Sequence, residues 1–142
     1  MGLFKGLFNN KIKILIVDDD KSICNYLSEA LSLENYSVIV SQDPKRGLEL
    51  AIKQKPALII LDIYMGPPDG IEVLRKLRQE PVTKTIPVIM LTGADRMNDV
   101  EAAMELGANA YLIKPCDTGR LFQKVSKLLL NAKAGESPAQ SA

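Results

Sequence analysis

Three consecutive aspartates, Asp18, Asp19 and Asp20, close a short apolar run, Ile12–Val17, and a fourth, Asp62, closes another, Ala57–Leu61. Thr92 follows a third run, Pro87–Leu91, and Lys114 with Pro115 follows a fourth, Ala110–Ile113. Carboxylates brought together repel, and some take up protons unless a cation intervenes. A hard divalent cation resolves that conflict; oxygen ligands of this kind suit Mg²⁺, with Mn²⁺ as its substitute. The charges close: Asp18, Asp19 and Asp62 sum to −3, and Mg²⁺ with Lys114 to +3. A phosphoryl group arriving among them meets cations for its equatorial oxygens and the Thr92 hydroxyl as a hydrogen-bond donor. It also meets a carboxylate in line as nucleophile. Phosphoryl transfer needs little more than this positioning and charge stabilisation.

That chemistry requires the ends of separate runs to meet. The runs lack polar alternation, so each is covered on both faces, which points to a parallel sheet. A fifth strand is Ser37–Val40. Between the strands, apolar residues recur at helical spacing. Ile23, Tyr26, Leu27, Ala30 and Leu31 mark a first helix, with Asp20 or Ser22 as its cap. Pro44–Lys53, Asp69–Gln79, Asp95–Leu106 (stopped by Gly107) and Asp117–Leu130 are the others. Five strands alternating with five helices give an α/β, doubly wound five-stranded parallel sheet. In such sheets ligands bind beyond the carboxyl ends of the strands, where the acids, Thr92 and Lys114 would lie.

The 142 residues fit one domain with a sizeable core. A net charge of +1 without a basic run argues against nucleic-acid binding. No stretch approaches the ~20 apolar residues of a membrane span, and no signal-peptide core is visible, so the cytoplasm is the expected compartment. Cys24 and Cys116 lack metal-ligand spacing and read as inert thiols. Met90, Met97 and Met104 read as core or partly buried fillers. Histidine is absent, so any phosphohistidine donor must be a partner protein.

The segments ILIVDDD, LIILDIYM, PVIMLTG and AYLIKP, in this order and spacing, resemble the signature blocks of response-regulator receiver domains over about residues 11–131. The resemblance implies the flavodoxin-like strand order 2-1-3-4-5. It implies that Asp62 is the phosphoacceptor, loaded by a histidine kinase or a histidine phosphotransfer protein. Asp19, Asp62 and the backbone carbonyl of Tyr64 would bind Mg²⁺ directly, and Asp18 mostly through water. Thr92 and Lys114 would contact the phosphoryl oxygens, and Tyr111 would be the switch aromatic that follows Thr92. The Lys114–Pro115 peptide would be cis. Such a protein is a regulatory phosphoacceptor rather than an enzyme on other substrates, catalysing only its own phosphorylation and slow dephosphorylation. Without an output domain it would act by binding: the face of the fourth helix, fifth strand and fifth helix would meet a downstream protein or a second copy.

The chain also departs from the family pattern. Met65-Gly66-Pro67-Pro68 stands where Met-Pro-Gly is common, so the turn carrying the Tyr64 carbonyl is expected to differ. Bulky Tyr64 and small Ala94, which cannot orient a water, flank the path of a hydrolysing water, and slow loss of the phosphoryl group is expected. A phosphorylation-independent adaptor need not keep the acids, Thr92 and Lys114. A phosphatase of the haloacid-dehalogenase kind would need an acid where Tyr64 stands. A flavodoxin-like FMN carrier would need a phosphate loop in place of three repelling aspartates. Taken singly, the acids could merely cap a loop, Lys114 could be a solvated side chain and Tyr111 simple packing; their common edge favours the joint reading. Residues 1–10 form a short amphipathic head, with Leu3, Phe4, Leu7 and Phe8 on one helical face. Such a face can dip into a membrane or dock on a partner, but two turns have little helicity alone, and packing on its own domain or fraying is the expectation. The acylation pattern fails at Gly6. The small, polar stretch 132–142 reads as a disordered tail.

Overall fold

β-Branched and leucine side chains fill the apolar runs, and all five are strands in the computed structural model, which describes residues 10–133. They are β1 (Lys13–Val17), β2 (Ser37–Ser41), β3 (Leu58–Asp62), β4 (Val88–Thr92) and β5 (Ala110–Ile113). All pair in parallel, in the order β2-β1-β3-β4-β5. Five helices alternate with them: α1 (Lys21–Leu33), α2 (Pro44–Gln54), α3 (Gly70–Gln79), α4 (Met97–Glu105) and α5 (Thr118–Lys133). The expected architecture and strand order are therefore the observed ones. The amphipathic head and the disordered tail lie almost wholly outside the described residues.

Successive strand residues point to opposite faces, and the core divides accordingly. Leu15, Val17, Ile59, Leu61, Val88 and Met90 face one way, onto Ala51 of α2, Val73, Leu74 and Leu77 of α3, and Val100 and Ala103 of α4. Ile14, Ile16, Leu58, Ile60, Ile89 and Leu91 face the other, onto Cys24, Leu27 and Leu31 of α1 and Leu121, Val125 and Leu128 of α5. Burying each such side chain contributes about 1.5–3 kcal/mol. A one-residue slip would exchange the faces, so this packing fixes the register and with it the residue that ends each strand.

Aspartates start most helices. Asp20 Oδ1 accepts from the N–H groups of Ser22 (2.9 Å) and Ile23 (3.3 Å), so it, and not Ser22, caps α1. Asp43 and Asp69 cap α2 and α3, and Asp117 Oδ1 accepts from Arg120 N at 2.8 Å in the first turn of α5. The fourth helix begins at Met97 rather than the expected Asp95, because Asp95 makes no capping bond and Arg96 occupies the cap position without a side-chain one. Beyond its end Gly107 adopts a positive φ of 102°, as its place after the helix suggested. The last helix continues past Leu130 to Lys133. Met90 is buried, whereas Met97 and Met104 on α4 are 42% and 41% exposed.

Candidate functional site

The register sets Val17 beside Leu61, Asp62 beside Leu91, and Thr92 beside Ile113. The residues at and just after these positions therefore share one edge of the sheet. Asp18, Asp62 and Thr92 are buried there, and Asp19 is exposed. Lys114, beyond β5, reaches across: its Nζ lies 2.8 Å from Asp18 Oδ2 and 3.2 Å from Asp62 Oδ1.

Asp18, Asp19 and Asp62 each offer a carboxylate oxygen, and these oxygens all lie within 4.8 Å of one another. Asp18 Oδ1 accepts from the N–H of Asp20 at 2.9 Å. Asp18 Oδ2 is buried and, among the described residues, is met only by the Lys114 ammonium, as an ion pair. One ammonium shared between two buried carboxylates leaves negative charge uncompensated, which is costly away from water. Three acids against one lysine thus fit a hard divalent cation in both donor type and charge.

Burial, and then the charge of Asp18, push the Asp62 carboxyl up from its usual 3.8 to about 6, with Lys114 and the Tyr64 N–H pulling partly back. That N–H donates to Asp62 Oδ1 at 3.4 Å. Burial works against the Lys114 ammonium, but its two carboxylate partners outweigh it and hold its pKa above the ordinary lysine value. Cys24 lies below the site and donates from Sγ to the Asp18 carbonyl at 3.1 Å. Burial, then Asp18 and Asp20, push its thiol up to about 11, which keeps it protonated and unreactive. Burial also raises Cys116.

Thr92 Oγ1 donates to the Gly93 carbonyl at 3.1 Å, within its own turn. Tyr111 is half-buried against the face of the core that carries α4, with Lys124 Nζ 5.9 Å from its ring centroid. The Lys114–Pro115 peptide is cis, and so is Pro67–Pro68 in the turn beyond Tyr64. The Tyr64 side chain is exposed, two residues past Asp62, and Arg96 Cζ stands 4.1 Å over its ring centroid. That pairing joins two loops distant in sequence, and no local pattern announced it. Gly70 was equally silent: a Cβ there would collide with the Asp62 carbonyl.

The profile of the response regulator receiver domain matches residues 14–126. Response regulator MprA of Mycolicibacterium vanbaalenii is 33% identical over 131 residues, covering 92% of this chain and 56% of that protein. The alkaline phosphatase synthesis transcriptional regulatory protein PhoP of Bacillus subtilis is 38% identical over 117 residues, 82% of this chain and 48% of that one. The chain thus spans about half the length of these curated relatives. Among solved structures, a CheY-like response regulator receiver domain protein from Methanospirillum hungatei superimposes with a TM-score of 0.83 at 27% identity, covering 89% of this chain and 99% of that one. Chemotaxis protein CheY4 of Vibrio cholerae gives 0.78 at 28% identity, over 82% and 98%. Among the described residues no helix is long and apolar enough to cross a membrane.

Proposed function

Because the chain belongs to the response regulator receiver domain family, we propose that it is a phosphoacceptor switch of a two-component pathway, with Asp62 as the residue that takes the phosphoryl group. The observation that carries this reading is Lys114, whose one ammonium meets both Asp18 and Asp62 at the sheet edge.

The donor is a phosphohistidine on a histidine kinase or histidine phosphotransfer protein. An Asp62 carboxylate oxygen forms the new bond to phosphorus as the bond to the donor nitrogen breaks. With a pKa of about 6, Asp62 is largely ionised at neutral pH and so able to attack. Lys114 compensates charge on the phosphoryl oxygens, and the Thr92 hydroxyl turns from the Gly93 carbonyl to donate to one of them. Asp18, Asp19, Asp62 and the Tyr64 carbonyl would hold Mg²⁺, or Mn²⁺ in its place, and the cation would neutralise carboxylate and phosphoryl charge.

The movement of Thr92 frees space that the Tyr111 ring takes up. This biases the surface of α4, β5 and α5, where Met97, Met104 and Ile113 are exposed, toward binding a downstream protein or a second copy. In this reading residues 11–131 are the receiver unit, acting in the cytoplasm without contact to nucleic acid. The test is Mg²⁺-dependent labelling with acetyl phosphate, read by intact mass. One phosphoryl group on the wild type and none on Asp62→Asn supports the proposal; equal labelling of both overturns it.

A further inference from the structure

We propose that Arg96, stacked on Tyr64, is a clip across the mouth of the site that slows hydrolysis of the phosphoryl group on Asp62. This rests on Asp62 being the phosphoacceptor. Tyr64 belongs to the turn after β3 and Arg96 to the turn after β4, the two segments that leave the neighbouring strand ends carrying Asp62 and Thr92. The guanidinium carbon lies 4.1 Å from the ring centroid, well inside the range of a cation–π contact. Among the described residues no hydrogen bond or ion pair joins Tyr64–Asp69 to Gly93–Arg96, so the stack is the side-chain link between the two rims.

Arg96 stands where helix energetics would not place it. It occupies the N-cap of α4 and makes no capping bond. There its charge opposes the positive end of the helix dipole. Among the described residues its one ion pair within 4.0 Å is with the adjacent, largely exposed Asp95, at 3.9 Å. A local rule broken without local compensation points to a role elsewhere, and the Tyr64 ring is what the side chain meets.

In hydrolysis a water oxygen bonds to phosphorus and the bond from phosphorus to the Asp62 oxygen breaks, its electron pair staying on the carboxylate. The displaced water proton leaves with inorganic phosphate or solvent. The clip restricts the approach of that water. Arg96 is accordingly a positioning residue, and an exposed stack of this kind alters the rate about two- to fivefold.

The test is a double-mutant cycle on the decay of the acetyl-phosphate-labelled full chain. Arg96→Met and Tyr64→Leu each speed decay about two- to fivefold, and the double variant decays no faster than the faster single. Tyr64→Phe keeps the ring face, so Arg96→Met on that background speeds decay equally. Side-chain protons of Arg96 show a ring-current shift by NMR that Tyr64→Leu abolishes, a readout independent of phosphorylation. Unchanged decay in Arg96→Met, multiplied effects in the double variant, or no ring-current shift overturns the clip alone. A wild type that takes no label overturns the proposed function and the clip's role with it, even where the ring-current shift persists.

Discussion

Gly70 presses against the backbone of Asp62 so closely that a Cβ at position 70 would collide with the Asp62 carbonyl and come within 2.8 Å of Ile63 Cα. The Gly70 N–H also donates to the Ile63 carbonyl at 2.8 Å. The start of α3 is thereby seated on the end of β3, the strand that carries Asp62. Gly70→Ala must push strand and helix apart. The expected cost is about 1–3 kcal/mol in urea unfolding, as for an overpacked core, together with slower labelling of Asp62.

Asp62 makes the metal-free protein pH-sensitive. Burial and Asp18 raise its folded pKa to about 6 from the usual 3.8, so the folded state holds the proton more tightly than the unfolded chain does. The stability from that proton is fully present below about 3.8 and is lost as pH rises through about 6. Asp62→Asn does not titrate there. In chelator its thermal midpoint should exceed that of the wild type, by a margin that widens from pH 4 to about pH 7 and then levels. Scanning calorimetry across that range checks both sign and window. Mg²⁺ should raise the wild-type midpoint more than that of the variant.

Lys114 is the cation the two buried acids already have. Lys114→Met leaves Asp18 and Asp62 facing each other with less compensation, so Mg²⁺ should bind at least as tightly as in the wild type, by titration. Labelling should nonetheless slow roughly 10²-fold, the usual cost of removing one preorganised group from a site of developing charge. Weaker Mg²⁺ binding with normal labelling would contradict this division of roles.

Arg78 holds the opposite end of the sheet. Its Nε and Nη2 donate to the Gly107 carbonyl at 3.1 and 2.9 Å, and Nη2 also to Asn109 Oδ1 at 3.1 Å. Asn109 Oδ1 in turn accepts from Val88 N at 2.7 Å. Burial lowers the Arg78 pKa from its ordinary value, though it stays charged. Arg78→Met removes charged bonds to half-buried acceptors, for a loss of about 1.5–3 kcal/mol in denaturant. Labelling of Asp62 should be unaffected.

The sheet was legible because its three central strands are buried on both faces, which makes Ile14–Val17, Leu58–Leu61 and Val88–Leu91 continuous apolar runs. The edge on which the acids, Thr92 and Lys114 converge followed from parallel topology alone. The start of α1 was legible because Asp20 was one of the two caps its sequence offered, and the helix expected from Pro44 begins there; the helix expected from Asp69 begins one residue later, with Asp69 as its cap. The fourth helix was misplaced because Asp95 resembles a cap but leaves the backbone N–H groups alone. Arg78 carried no sequence signal, since arginine is ordinarily exposed and its acceptors here are backbone carbonyls and one asparagine. The Arg96–Tyr64 stack and the Gly70–Asp62 contact depend on how two loops and a helix seat in space, which no local spacing encodes.

The most direct test is chemical. The labelled wild type is reduced with borohydride, which converts an aspartyl phosphate to homoserine, and its peptides are mapped by mass spectrometry. Homoserine at position 62, with Asp18, Asp19 and Asp20 intact, is the predicted result. Homoserine at another aspartate with Asp62 unchanged would contradict the account.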